Sequence, residues 1–312
     1  MRTPIVIGII TYNRPRGLAA LVESIARQQF DRKELSVSLI IVDNACNPNT
    51  EKQVYTLLEE HSLQGIYSTE EEQGIPYARN KVVELFLRET SGKWLAFIDD
   101  DQTVAPSWVA SLVETAEETS AQVVYNRQEY VLPPGSPEWW KKSFFFQKKE
   151  VHGAKIAYFY THGVLIHRTV FEHFPYPFDI CLKKSGGSDS RFAAQVHRAG
   201  FIIVYSHTAC SYEHVPASRL TYKWLYKRGL RAGALSSATG ILTGKHPWYM
   251  RAKCVLRFFC WTGRAVGGIL FSTLIQKKGQ QARAVYELGW AVGIVMGLFG
   301  FLHDEYTTIH GE

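Results

Sequence analysis

Cysteine is scarce and poorly placed for structural chemistry. The five present (Cys46, Cys181, Cys210, Cys254 and Cys260) are odd in number and form no CxxC pair. That argues against a disulfide scaffold or a cysteine zinc cluster and for a reducing compartment. No Asn-x-Ser/Thr sequon occurs, which fits a chain that never meets a secretory route. The opening MRTPIVIGII carries one arginine and a short apolar run broken by Asn13-Arg14-Pro15. It reads as a first buried strand rather than a signal peptide. No glycine-rich loop follows that strand, so the triphosphate cradle that a sugar nucleotidyltransferase needs is missing. There is no low-complexity tract and no visible internal repeat, and wholesale disorder is excluded.

Acidic residues are missing from one part of the chain. Residues 215–312 hold 4 Asp and Glu against 13 Lys and Arg, whereas residues 1–214 hold 25 against 22. A near-neutral body with a basic tail points to a partner carrying phosphates: nucleic acid, an anionic bilayer or a pyrophosphate ligand. The tail carries no nucleic-acid-binding motif, so a nucleic acid partner is not expected. Ala265–Gln276 is free of charge for 12 residues and Leu288–His303 for 16. Both fall short of the roughly 20 apolar residues of a spanning helix. They read as core or interfacial helices in peripheral contact with an anionic membrane.

With 312 residues and 46% hydrophobic content, the chain can bury a sizeable core. Ile5–Ile10, Val37–Val42 and Trp94–Ile98 are apolar runs without alternation, separated by segments of helical periodicity at 18–25, 51–60 and 77–88. This pattern predicts an α/β, Rossmann-like, mostly parallel central sheet flanked by helices. Further strands are expected at 123–125, 163–166 and 201–204, and a helix at 190–198. A basic helical extension follows, dividing the chain into 1–215 and 216–312. The segment 133–150, with Trp139, Trp140 and Phe144–Phe146, reads as a long loop bearing exposed aromatics, as a lid does.

In such sheets ligands bind beyond the carboxyl ends of the strands. Here those ends hold Thr11-Tyr12-Asn13-Arg14, Asp43-Asn44 and Asp99-Asp100-Asp101. Three successive carboxylates repel one another unless a cation neutralises them. A hard divalent ion, Mn2+ or Mg2+, suits oxygen ligands and commonly also holds substrate phosphates. On a helix, Lys227 and Arg231 share a face with Arg228 one step round. With Arg219 they could grip phosphate or face solvent. Trp139 and Trp140 could stack on a sugar ring or pack beneath a loop, and His162 could reach an acceptor pocket.

A strand ending in TYNRP, a second ending in VDN, the segment GIPYARN and a third strand running into FIDDD occur in that order. Together they resemble the family 2 nucleotide-sugar glycosyltransferases of the GT-A fold, over residues 4 to about 215. The tail segments SYEHVPASR and WLYKRGLRAG resemble the subgroup that builds bacterial exopolysaccharides and surface glycans on lipid carriers. The resemblance implies a metal-dependent, inverting transfer from a nucleotide diphosphate sugar, most simply a UDP-sugar. The acceptor would be a glycan, plausibly lipid-linked, at the cytoplasmic face of a membrane. It implies that Thr11, Tyr12 and Arg14 line the nucleotide and that Asp43 accepts the imide N–H of uracil. Gly74, Ala78 and Arg79 would close over base and ribose, beside Asp99 and Asp100. Asp101 would bind the metal, joined by His214 or Glu213. Asp189 would be the general base taking the acceptor hydroxyl's proton. Where the family usually shows Glu-Asp, this chain has Ser188-Asp189. Asp189 also suits an N-cap, and a non-catalytic scaffold is the reading that these carboxylates oppose.

Overall fold

The computed structural model describes residues 3–30, 35–141, 150–183, 186–243 and 247–301. Phe144–Phe146 of the expected lid lie outside the described residues. Strands β1 (Thr3–Thr11), β2 (Leu35–Asp43), β3 (Gln64–Thr69) and β4 (Trp94–Asp99) alternate with helices α1 (Pro15–Ala26), α2 (Pro48–Glu60) and α3 (Ile75–Glu89). After β5 (Gln102–Val104) come α4 (Trp108–Thr119), β6 (Val123–Val131), the short α5 (Glu138–Lys141), β7 (Val164–His167), α6 (Arg168–His173), α7 (Ser188–Arg198) and β8 (Ile203–His214). Helices α8 (Tyr222–Thr243), α9 (Pro247–Leu274) and α10 (Lys278–Leu298) form the tail.

The eight strands make one mixed sheet in the order β3-β2-β1-β4-β7-β6-β8-β5. Strands β3, β2, β1 and β4 run parallel, as their continuous apolar runs require, and β6 pairs parallel with β8. β7 enters antiparallel between β4 and β6, and β5 closes the far edge antiparallel to β8. One sheet face is covered by α1, α2 and α4, burying Leu18, Leu21, Val54 and Trp108. The other is covered by α3, α6 and α7, burying Val82, Phe86, Phe171 and Phe192. Helix-covered faces on both sides are what remove polar alternation from the central strands.

The aromatics Trp139 and Trp140 are not on an exposed lid. Trp140 is buried with Val215, Leu225 and Ala282, and Trp139 stacks on Tyr222 with ring centroids 4.9 Å apart. They pack the segment after β6 against the tail. Within the tail, α8 and α10 touch backbone to backbone. A Cβ added at Gly229, Gly233, Gly289 or Gly293 would lie about 2 Å from a carbonyl oxygen of the opposite helix. Helix α9 lies outside this pair. Trp248–Leu274 is long and apolar enough to cross a membrane by length and composition.

Candidate active site at the carboxyl ends of the strands

Parallel strands end together, and β1, β2 and β4 deliver Thr11, Asp43 and Asp99 to one edge: Thr11 is in register with Asp43, and Ile10 with Asp99. The acids beyond β4 have separate environments. Asp100 is buried; its Oδ2 accepts from the Thr11 hydroxyl at 2.8 Å and its Oδ1 from the Arg14 guanidinium at 2.9 Å. Burial pushes its carboxyl up to about 7, against the opposing pull of Arg14. The same guanidinium reaches Asp101 Oδ2 at 3.1 Å. Asp99 accepts from Arg79 at 3.2 Å, and that arginine also lies over the Phe178 ring. The side chains of Asp99 and Asp101 keep 32% and 27% exposure against 7% for Asp100. Two carboxylates therefore face outward and one anchors the turn.

Those two supply hard oxygen donors of the kind Mn2+ or Mg2+ prefers. No cluster of three or more His, Cys, Asp or Glu able to hold a metal exists among the described residues. Such ions often take only one or two carboxylates and complete their shell with phosphate oxygens and water, so the donor set fits. The ladder pair Gln102–Glu213 places Asp101 and His214 at the next positions along the paired strands. His214 itself shares a hydrogen bond with the Thr103 hydroxyl at 3.0 Å. Glu213 is committed elsewhere: it pairs with Arg219 at 3.0 Å and accepts from Gln128 at 3.0 Å.

Several residues expected to contact the nucleotide also have structural duties. Asp43 has no exposed surface; its oxygens accept from the backbone N–H of Ala45 and Asn47 at 2.8 and 2.9 Å. It staples the turn after β2. Ala78 faces the core beside Val82 rather than a ribose, because its position on α3 is on the buried stripe. Thr11 is buried, with its hydroxyl on Asp100 and its carbonyl accepting from Asn44. Gly74 does sit at the mouth of α3 with φ +141°, a conformation open chiefly to glycine. Tyr12 is partly exposed at the same edge.

Three further residues make contacts around the site. Asn44 donates to the carbonyls of Glu70 and Glu72 and accepts from Gly74 N at 2.8 Å, fixing the loop before α3. Gly17 lets α1 approach the acidic turn, since a Cβ there would lie 2.4 Å from the Asp100 carbonyl oxygen. Tyr160 stacks on His162, which in turn meets the Tyr125 hydroxyl at 3.2 Å. Asn44 already stood at a strand end in VDN and Gly17 adjoins the Arg-Pro-Arg turn, whereas Tyr160 had no such signal.

Asp189 lies inside the first turn of α7 and accepts from Ser190 N at 2.7 Å; the N-cap position is Gly187, so Asp189 is not the cap expected from the sequence. Burial, then the Asp189 charge, raises the Tyr160 phenol, while Arg228 lowers it. Arg228 also offsets the raised carboxyl of Glu213, which Asp101 and Asp99 push further up after burial. Arg228 lies over the Trp224 ring. Arg231 lies near Tyr286. Arg219 and Arg228 flank a small pocket with Tyr130, Trp140 and Glu213.

This arrangement has close counterparts. The pattern of Glycosyl transferase family 2 matches residues 6–174. Succinoglycan biosynthesis protein ExoM of Rhizobium meliloti (strain 1021) is 30% identical over 307 residues, covering 96% of this chain and 94% of that protein. Glucosyl-dolichyl phosphate glucuronosyltransferase of Haloferax volcanii is 28% identical over 149 residues, 47% of this chain and 44% of its own length. Among solved structures, mannosyltransferase PcManGT from Pyrobaculum calidifontis, in complex with GDP-Man and Mn2+, superposes with TM-score 0.62 at 18% identity, over 96% of this chain and 88% of that one. S. aureus TarS 1-349 in complex with UDP-GlcNAc gives 0.55 at 14% identity, over 95% and 91%. The folds agree, and with the family pattern spanning the acids and both arginines that hold them, the chain belongs to glycosyl transferase family 2 and is a glycosyltransferase.

Proposed function

We propose that this enzyme transfers a sugar, with inversion, from a UDP-sugar to a hydroxyl of a glycan carried on a lipid at the cytoplasmic face of a membrane. The observation that carries the reading is that β1, β2 and β4 end together, with Asp99 and Asp101 partly open there and held by Arg79 and Arg14. Uridine is supported by the UDP-GlcNAc complex of TarS, and the glycan by the succinoglycan role named for ExoM. The GDP-Man complex of PcManGT makes guanosine the alternative that the test must separate.

Asp101, with His214 beside it across the strand pair, would hold Mn2+ or Mg2+, which supplies Lewis-acid stabilisation of a diphosphate leaving group. The chain's own residues do the rest. Arg14 and Arg79 fix the acids in place, so that no reorganisation is needed when a diphosphate arrives. Asp189 takes the acceptor hydroxyl's proton as that oxygen attacks the anomeric carbon from the face opposite the nucleotide. Its negative charge also favours an oxocarbenium-like transition state. Arg219, Arg228 and Arg231, on the tail from residue 216 onward, provide cationic contacts for a phosphate-linked acceptor.

A thermal-shift and hydrolysis panel of UDP- and GDP-sugars, with and without Mn2+, tests the reading. Stabilisation and slow hydrolysis restricted to UDP-sugars with the metal are expected. Equal response to GDP-sugars removes the uridine assignment, and no metal dependence removes the site assignment.

A further inference from the structure

The tail is built inside out. Among the α9 residues whose burial is described, only Cys254, Ala265 and Ser272 are buried, and they fall on one stripe against the rest of the tail. At roughly 3.6 residues per turn, the opposite stripe carries Trp248, Leu256, Phe259, Val266, Leu270 and Leu274. All six are exposed, Leu270 at 68% and Leu274 at 82%. A water-facing helix of a globular protein puts polar residues there. This is an apolar face far larger than single scattered hydrophobics explain.

Charge on α9 is confined to the flanks. Lys253, Arg257 and Arg264 lie along one side of the apolar stripe and Arg251 along the other, and no Asp or Glu occurs between residues 215 and 286. The next acid, Glu287, is buried and pairs with both Arg264 and Arg283. A second, independent feature is the α8–α10 contact. Gly229 and Gly233 lie against the backbone of Tyr286, Trp290 and Ile294, and Gly289, Gly293 and Gly297 against that of Tyr226, Leu230 and Ala234. Small residues four apart are how helices associate where lipid removes the usual hydrophobic drive.

We infer that the outward face of α9 is a lipid-docking surface that lies in the plane of an anionic leaflet, with its basic flanks at the headgroups. This rests on the proposed membrane location and deepens it by naming the surface and its orientation. The basic residues are spread along the helix, from Arg251 to Arg264, instead of gathering at its ends. That spacing suits long side chains rising on both sides of an immersed stripe. Trp248 and Tyr249 stand at one end, where amphipathic rings favour the interface. A second copy is a poor occupant, because a twofold pairing would bring two acid-free, basic-edged faces together.

The test is flotation of the full chain with vesicles of phosphatidylcholine alone or mixed with phosphatidylglycerol. The wild-type protein should float with the mixed vesicles and little with the neutral ones. Phe259→Glu combined with Leu270→Glu should lower the bound fraction about tenfold or more. Tyr176→Glu, at an exposed tyrosine of the catalytic domain, should leave it unchanged. Sugar-nucleotide hydrolysis without vesicles reports folding in each variant. Brominated phosphatidylglycerol gives a second readout: it should quench wild-type emission, and less so in Trp248→Phe. Undiminished flotation of the double variant with unchanged quenching in Trp248→Phe overturns the proposal. So does equal binding to neutral vesicles, resistance to alkaline carbonate extraction (a spanning helix), or a wild-type dimer that the substitutions dissolve without any lipid binding. If no sugar nucleotide is hydrolysed yet flotation follows the expected pattern, the surface stands and the donor reading fails.

Discussion

Arg14 and Asp100 meet at 2.9 Å where β1 and β4 end, and the same guanidinium holds Asp101 at 3.1 Å. One cation therefore serves a buried acid and an open one. Asp100 has a folded-state pKa raised to about 7, so the stability it contributes is present at acid pH and is lost as pH rises through that value. Removing Arg14 raises the carboxyl further and extends the loss. Arg14→Met should cost little at about pH 5 and about 3 kcal/mol near pH 9. Thermal unfolding of both proteins across that range measures it; a penalty independent of pH would mean the pair is not the source.

Asp101→Ala addresses the open acid. Its neighbours Asp99 and Asp100 are held by Arg79 and Arg14, so the fold should survive. Stabilisation by a UDP-sugar with Mn2+ should vanish, and turnover should fall about a thousandfold, several kcal/mol of lost electrostatic stabilisation. Donor affinity that stays intact and metal-dependent would place the ion elsewhere.

For Asp189 the two roles separate. An Asn amide oxygen can accept from the Ser190 N–H as the Asp oxygen does, so the local contact survives the exchange while the charge is lost. Asp189→Asn should keep stability and donor binding while acceptor-dependent turnover drops by about 10²–10⁴. Turnover near the wild-type level with the true acceptor would remove Asp189 as the general base.

Much of this site was legible in the sequence. Buried parallel strands are apolar without alternation, so β1, β2 and β4 and their polar ends stood out. β3 and β5 did not: β3 is an edge strand with a mostly polar sequence, and β5 is three residues long directly after the acids. Residue type located Asp43 and Thr11 at strand ends and Ala78 on α3, but not which way each side chain turns. A carboxylate at a strand end can point at a ligand or fold back on its own loop, and spacing is the same in both cases. The inverted α9 was hidden because its charges interrupt every long apolar run, although they all fall on its flanks.

Asp43 gives a test of that distinction. Asp43→Ala leaves the buried N–H groups of Ala45 and Asn47 without their carboxylate. A loss of about 2–4 kcal/mol is expected, with the ratio of UDP- to GDP-sugar hydrolysis unchanged. A selective loss of UDP-sugar hydrolysis at normal stability would restore the base-reading role.

Two glycines of the tail respond oppositely to the same substitution. A Cβ at Gly293 on α10 would lie 1.9 Å from the Leu230 carbonyl oxygen of α8, and backbone cannot give way as a side chain can. Gly293→Ala should separate the two helices and cost about 3 kcal/mol or more, at the upper end of overpacking penalties. Because α8 also carries Arg228, beside Tyr160 and Glu213, turnover should fall with it. Gly267 on α9 has nothing within 4 Å of an added Cβ. Gly267→Ala should gain about 0.5–1 kcal/mol from helix propensity alone and leave turnover untouched. Thermal unfolding and acceptor-dependent rates on the pair decide whether α8 and α10 are held by backbone contact; equal tolerance of both substitutions would show that they are not.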